Sequence, residues 1–203
     1  MPKVRKSAEI PAKDRLLLSG ALLFGQKGFE GVSVREICKH ANTSMNMIHH
    51  YFESKDGLLQ SIVEQFSDQV FVVPLKLLQK PPKSKEDFHS RMEMLFEATL
   101  DAYIDQRDLL MVIIREQADP EALTEYVNKF AAFLDSAKKS GYVRKEIDSS
   151  MITGIMLDRI LNQVQFAPWI KRKHGVDLLT DDAYRQRWCE SNLEVFLNGM
   201  VEQ

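Results

Sequence analysis

The side chains able to do chemistry are scattered in this sequence of 203 residues. His49 and His50 are adjacent, so on a helix they diverge by about 100° and cannot share a metal ion or relay a proton. Cys38 and Cys189 form no Cys-x-x-Cys motif, and no histidine pair accompanies them at metal-ligand spacing. No nucleophile with a base and no pair of carboxylates stands out. We therefore expect no catalytic residue, no metal and no cofactor.

A different chemistry, that of reading DNA, is suited to residues between positions 33 and 55. Asparagine can pair with adenine through two hydrogen bonds, arginine with guanine, and a methionine side chain can pack on the thymine methyl group. Histidine offers a donor or an acceptor according to its tautomer. The candidates for base contacts are Arg35, Met45, Asn46 and His50. Phosphates require donors and positive charge, which Ser33, His49, Tyr51 and Lys55 can supply.

The charge distribution agrees with a DNA-binding end, although a surplus of this size is also common on solvated surfaces. The net charge is -2, but residues 1–60 hold nine Lys and Arg against six Asp and Glu, and the remainder holds eighteen against twenty-three. Because DNA is a dense line of negative charge, the basic N-terminal part is the candidate binding end. Lys3, Arg5 and Lys6 belong to a basic arm that either follows phosphates or is disordered.

Helical periodicity dominates the elements that must position these residues. A first helix is expected from after Pro11 to Gly28, and Ser33 with Glu36 forms a capping box for a short second helix. Ser44 is expected to cap a third helix that ends at Phe52. On that helix Ile48 and Phe52 point one way, while Asn46 and His50 point the other. Two short helices joined by a tight break match a helix-turn-helix.

The remaining helices suit a bundle. Ser54 can cap a fourth helix, which Pro74 bends or ends, and Ser84 can cap a fifth after the break at Pro81-Pro82. Later helices are expected near residues 109–117, 119–140, 148–166 and from 180 to the end, giving nine in all. The sequence thus predicts an all-α fold, with an N-terminal three-helix DNA-binding domain and a larger C-terminal helical bundle.

The stretch from Ala41 to Leu59, with Ser33-Val34-Arg35-Glu36-Ile37 upstream, resembles the signature of the TetR family of bacterial transcriptional regulators. The resemblance covers about the first sixty-five residues. Carried over by position, it implies that Met47 joins the phosphate-binding set, with the base-contact set unchanged. Three residues depart from the family pattern: Asn42 replaces a turn glycine, His49 replaces a tyrosine, and Gly57 replaces an acidic residue.

The resemblance also implies a domain layout, a dimer and a ligand pocket. The layout is an arm and DNA-binding domain in 1–54, a connecting helix in 55–79 and a ligand-sensing and dimerisation domain in 84–203. The last two long helices are expected to form the dimer interface, with candidates Ile152, Ile155, Arg159, Gln163, Trp188, Val195 and Phe196. The pocket candidates are Phe96, Tyr103, Met111, Phe133, Met156 and Phe166. Each of these residues is equally suited to ordinary core packing.

These features together imply a cytoplasmic regulator that binds an inverted repeat of double-stranded DNA as a homodimer. The expected role is that of a repressor, which a small hydrophobic effector releases from the DNA. Neither a signal peptide nor a membrane span is visible in the sequence. The alternative is a helical interaction or effector-binding dimer with a degenerate DNA-binding head, an interpretation motivated by His49 and Gly57.

Overall fold

The computed structural model describes residues 10–201, which form eleven α-helices and no strand. The all-α prediction is confirmed, whereas the expected number of nine helices is wrong. No helix among the described residues is long and apolar enough to cross a membrane. The predicted basic arm lies outside the described residues, apart from Ile10 at its end. The helices are α1 Ala12–Lys27, α2 Val34–His40, α3 Asn46–Phe52, α4 Lys55–Val70, α5 Val72–Leu77, α6 Lys85–Asp105, α7 Arg107–Glu116, α8 Glu121–Lys139, α9 Ser149–Gln165, α10 Ala167–His174 and α11 Asp182–Met200.

The two additional helices arise at prolines. The chain breaks at Phe71, and Pro74 lies in the first turn of α5 rather than at the end of α4. Likewise, Pro168 lies in the first turn of α10 instead of stopping the chain after α9. A proline is tolerated in a first turn because the amide it lacks has no partner there. Both prolines therefore lie at the beginnings of helices, whereas the sequence predicts that Pro74 bends or ends the fourth helix.

The described residues divide into two compact units. The first contains residues 10–66 and 108–118, and thus holds α1 to α3, most of α4 and nearly all of α7. The second contains residues 67–107 and 119–201. The start of α4 belongs to the first unit because it packs on α1, and α7 belongs to it because α7 forms hydrogen bonds to the end of α1 and the following loop. The expected layout of 1–54, 55–79 and 84–203 stays a prediction.

The hydrogen bonds of α7 explain its place in the first unit. The backbone amide of Phe29 donates to Oε1 of Glu116, at 2.8 Å. Nη1 of Arg115 donates to the carbonyl oxygen of Gln26, at 2.9 Å. Since the last carbonyls of a helix have no partner within it, Arg115 satisfies one at the end of α1, and Glu116 accepts from the loop that follows.

Serine caps begin several helices as the sequence predicts. Oγ of Ser33 accepts from the amide of Glu36 at 3.2 Å, Ser54 from Gly57 at 3.0 Å, and Ser84 from Asp87 at 3.1 Å. The expected cap at Ser44 is wrong: α3 begins at Asn46, after Met45, and has no side-chain cap. The Met47 amide instead donates to the backbone carbonyl of Ser44 at 3.1 Å, which makes a tight turn before the helix.

Two glycines allow α4 to approach its neighbours in the first unit. A Cβ atom at Gly20 would lie 2.9 Å from Leu58 and 3.0 Å from Ile62, both buried residues of α4. A Cβ atom at Gly57 would lie 1.9 Å from the backbone oxygen of Phe52. Gly57 is therefore required by the close passage of α4 beside the end of α3.

The second unit packs around aromatic side chains. The hydroxyl groups of Thr99 and Tyr126, both fully buried, are hydrogen bonded at 2.8 Å. Burial raises the pKa of the Tyr126 phenol far above its ordinary value, so this hydroxyl stays neutral. Phe88 stacks on Phe133 with ring centroids 5.7 Å apart. These contacts join α6 to α8 in one apolar core.

Replacing Gly57 by alanine tests the close passage of α4. Alanine favours helices by about 1 kcal/mol over glycine, so propensity alone predicts a more stable protein. We expect the opposite, a free energy of unfolding lowered by about 2 kcal/mol, because the added methyl group clashes with a backbone oxygen. Urea denaturation measures the change, with Asp56→Ala as a control in the same helical turn. A Gly57→Ala variant as stable as the parent would contradict the geometry.

Candidate functional site

The side of the α2–α3 pair that carries the candidate base contacts is open. Arg35, Met45, Asn46 and His50 are all exposed, whereas Ile48 and Phe52 of the same helix are buried. The predicted division of α3 into an inward and an outward side is confirmed. The rings of His50 and Tyr51 meet edge to face with centroids 4.7 Å apart, which restricts the orientation of His50. A row of polar and thioether groups is thus available to a ligand outside the unit.

The turn between α2 and α3 is closed by backbone hydrogen bonds. Asn42 has a φ of 49°, so its left-handed backbone confirms that asparagine serves in place of a glycine. The Thr43 amide donates to the Cys38 carbonyl at 2.9 Å and the Asn42 amide to Lys39 at 3.3 Å, the pattern of a Schellman motif. This turn fixes the direction in which α3 leaves α2.

Arg15 of α1 holds the same turn, a role that the sequence analysis missed. Its Nε donates to the Ala41 carbonyl at 2.9 Å, and its Nη2 to the Asn42 carbonyl at 3.4 Å. Positive charge at the end of α2 is also favoured by the helix dipole. Residue spacing does not predict this contact, because Arg15 lies 26 residues before Ala41 in the sequence.

Lys55 acts within the first unit. Its Nζ donates to the carbonyl oxygens of Phe29 at 2.9 Å and Val32 at 3.0 Å, and lies 4.0 Å from the centroid of the Phe29 ring. The ammonium group is thereby held against the loop between α1 and α2. The expected phosphate contact is untested, and two of the three hydrogen atoms of this ammonium group already have acceptors.

His49 carries a constraint on its protonation. Its Nδ1 lies 2.6 Å from the Glu53 carbonyl oxygen, which can only accept, so Nδ1 carries a proton. In the neutral ring Nε2 then has no proton and cannot donate to a phosphate oxygen. In the imidazolium form Nε2 becomes a charged donor. His49 is therefore suited to a phosphate contact only when the ring is protonated.

The other candidate phosphate contacts surround this surface. Ser33 and Tyr51 are exposed, and Met47 is half-buried. Oγ of Ser33 is engaged as the cap of α2, but a hydroxyl retains a donor proton while it accepts. Glu36 bonds to Lys27, and this contact holds the pKa of Glu36 below its ordinary value. One acidic side chain near the surface is thus paired with a cation.

The candidate pocket residues differ in burial and in the unit to which they belong. Phe96, Tyr103, Phe133 and Met156 are buried within the second unit. Met111 belongs to the first unit, where its Cβ lies 3.2 Å from the Cβ position that Gly25 would have. Phe166 is half-exposed and lines a groove along α9 and α10. A common pocket for all six residues remains a prediction.

The candidate dimer residues fall into two groups. Ile155 of α9 and Val195 of α11 are exposed, at 46% and 73% of their surfaces, and Arg159 is exposed as well. Gln163 and Trp188 are buried, and Ile152 and Phe196 are partly buried. Nε of Arg159 donates to Asn192 at 2.9 Å, which joins α9 to α11 within the protein.

The cysteines offer no reactive thiol. Both are free and buried. Burial raises the pKa of the Cys189 thiol to about 12, with the nearby carboxylates of Glu97 and Asp101 adding to the effect. A thiol with so high a pKa is almost never the thiolate that attacks or binds a metal. Within residues 10–201 no group of three His, Cys, Asp or Glu side chains is placed to hold a metal ion.

Known proteins resemble this chain in the same region and in its fold. Residues 16–62 match the family described as bacterial regulatory proteins, tetR family. A 58-residue segment is 43% identical to the "Probable HTH-type transcriptional regulator YttP" of Bacillus subtilis, and covers 29% of this chain but only 28% of that protein. UidR of Escherichia coli, an HTH-type transcriptional regulator, is 24% identical over 156 residues, which are 73% of this chain and 77% of UidR.

Structural similarity extends over nearly the whole chain. The ketosteroid transcriptional regulator KstR2 of Mycobacterium tuberculosis superimposes with a TM-score of 0.72 at 16% identity, covering 96% of this chain and 97% of that one. These relatives are transcriptional regulators, not enzymes. The helix-turn-helix thus lies within the segment that matches the TetR family of bacterial regulatory proteins, and over nearly its whole length the chain has the fold of solved regulators of that family.

Proposed function

We propose that the protein is a cytoplasmic repressor that binds an inverted-repeat DNA operator as a homodimer and is released by a small hydrophobic effector. The exposed side of α3 is the observation that supports this function most directly. Asn46 and His50 are exposed there, with no other element of residues 10–201 covering them, on a helix whose opposite side is packed in the core. Side chains of these types discriminate between bases in the major groove.

In the proposed complex the residues divide between two tasks. Arg35, Met45, Asn46 and His50 contact base edges, while Ser33, Met47, His49 and Tyr51 contact phosphates. Lys55 mainly supports the loop after α1, because its ammonium group already has two carbonyl acceptors. Two such domains in a dimer, spaced about 34–36 Å apart, would meet successive major grooves of a palindrome.

The proposed dimer uses one end of the α9–α11 pair. These helices run antiparallel, since Arg159 contacts Asn192 and Gln163 contacts Tyr184 at 3.4 Å. Ile155 therefore lies level with Val195, and both are exposed. Gly154 and Gly199 have nothing within 4 Å of an added Cβ atom, although glycine weakens a helix. Apolar side chains beside open glycines suit close packing of helices from a second copy.

The alternative function is a helical interaction or effector-binding dimer with a degenerate DNA-binding head. Gly57 no longer supports that alternative, because the close passage of α4 accounts for it. His49 remains its main support, since the neutral ring lacks a donor for phosphate. Selection of bound duplexes from a random pool separates the two functions. An enriched inverted repeat supports the repressor, whereas no enrichment together with affinity indifferent to salt supports the alternative.

A substitution of Asn46 tests base reading directly. We expect Asn46→Ala to relax the preference at one base position in each half-site, at a cost of about 1–3 kcal/mol against the preferred base. Gln60→Ala, an exposed change on α4, is the matched control and should leave the selected sequence unchanged. An Asn46→Ala protein that selects the parental sequence with equal stringency would remove Asn46 from the base contacts.

The dimer proposal is tested by introducing charge at its centre. The double variant Ile155→Glu/Val195→Glu should sediment as a monomer, because each copy would bring two carboxylates into an apolar contact. Met94→Glu changes an exposed apolar residue of α6 and is the control. Sedimentation velocity distinguishes the masses, and circular dichroism verifies folding. A folded double variant with the mass of a dimer would place the interface elsewhere.

A further inference from the structure

A short connection joins α3 to α4 in the first unit. Helix α3 ends at Phe52 and α4 begins at Lys55, so Glu53 and Ser54 make the whole connection. Phe52 before the connection and Leu58 after it are both buried in the core. Because core packing holds the chain on each side, the backbone must change direction within two residues.

The change of direction is made by a γ-turn centred on Glu53. The Ser54 amide donates to the Phe52 carbonyl oxygen at 2.7 Å, which closes the turn over three residues. Glu53 has a φ of 64° and a ψ of -40°. These angles are near the values of about +75° and -65° that define the γ-turn with positive φ, a rare and strained conformation. A residue with a Cβ atom keeps such a conformation only where its surroundings hold it there.

Two neighbours fit this turn from opposite sides. The Phe52 carbonyl points at the first turn of α4, where a Cβ atom at Gly57 would lie 1.9 Å from its oxygen. On the α3 side, Nδ1 of His49 donates to the Glu53 carbonyl oxygen at 2.6 Å. The Glu53 amide donates to the His49 carbonyl oxygen at 3.2 Å. His49 is therefore bonded to both peptide groups of the strained residue.

We propose that His49 is a positioning residue of the DNA-binding domain. Its Nδ1 holds the γ-turn at Glu53, and the turn sets the direction of α3 relative to the start of α4. The exposed side chains of Asn46 and His50 are oriented in this way. Nε2, on the other side of the ring, stays available for the phosphate contact. The effect on DNA reading rests on the proposed function, whereas the turn and its bond to His49 do not require DNA.

Two substitutions separate the nitrogens of His49. The amide group of asparagine can donate from near the position of Nδ1, whereas that of glutamine reaches toward the position of Nε2. We expect backbone hydrogen exchange at Glu53 and Ser54, measured by NMR without DNA, to become about tenfold faster in His49→Gln. That factor corresponds to the loss of one hydrogen bond. His49→Asn should stay within about twofold of the parent, as should the control His174→Gln, which changes an exposed histidine of the second unit. Equal exchange in both His49 variants would overturn the proposal.

Affinity for the operator duplex obtained by selection gives the functional readout. We expect His49→Gln to bind it about tenfold more weakly than the parent, and His49→Asn to bind it more tightly than His49→Gln. Affinity for a scrambled duplex should change less than about twofold, because non-specific binding depends on phosphates rather than on the direction of α3. The reverse order of the two variants would assign the role to Nε2 and refute the positioning role. Failure of the selection to enrich any duplex would contradict the proposed repressor alone, since the exchange rates still decide whether His49 holds the turn.

Substitutions of Glu53 test the strain that His49 offsets. Glycine adopts positive φ without steric cost, so Glu53→Gly should have a higher urea midpoint than Glu53→Ala, which removes the same carboxylate but keeps the Cβ atom. A relaxed turn needs less support from His49. Adding Glu53→Gly to His49→Gln should therefore restore operator affinity to within about threefold of the parent. Either equal midpoints for the two Glu53 variants or an unrestored double variant would contradict the proposal.

Discussion

A helix of seven residues is not stable in isolation, and the DNA-binding domain contains two helices of this length. Both α2 and α3 have this length, whereas isolated helices shorter than about 12–15 residues are marginal in water. Their geometry must therefore come from groups outside them. Arg15 holds the carbonyl oxygens at the end of α2, Lys55 holds the loop before it, and the His49 ring bonds to the carbonyl just after α3. The orientation of Asn46 and His50 therefore depends on these few contacts.

The sequence was sufficient for features that depend on local order. The serine caps at Ser33, Ser54 and Ser84, the left-handed turn at Asn42 and the outward side of α3 follow from residue type and spacing, and these are present. The features that the sequence did not predict depend on contacts between residues distant in the sequence or on distances of a few ångströms. The contacts of Arg15 and Lys55 each span more than twenty residues, and Gly57 makes sense only beside the Phe52 carbonyl. Pro74 lies in the first turn of α5 rather than at the end of a helix, because a proline that can stop a helix can also begin one.

The second unit was harder to interpret from sequence because one set of side chains suits three purposes. Core, interface and pocket all draw on methionine and aromatic residues. Solvent exposure distinguishes these roles where the spacing of residues does not. Trp188 is buried and stacks on Phe96, Val195 is exposed, and Phe166 lines a groove. The side chains that the sequence assigns to the last helices are thus divided between the interior of the second unit and its outer surface.

The first unit is discontinuous along the chain. Its α7 segment arrives from the middle of the sequence, and Glu116 of that segment accepts the Phe29 amide that follows α1. A single cut in the gene cannot release the DNA-binding unit whole, because its final helix is encoded after α5 and α6. Transplanting this unit onto another protein would require the intervening segment or a designed substitute for it. Suppose that recombination between relatives exchanges only the first sixty or so codons. The incoming α1 to α3 must then pack against the α7 of the recipient protein.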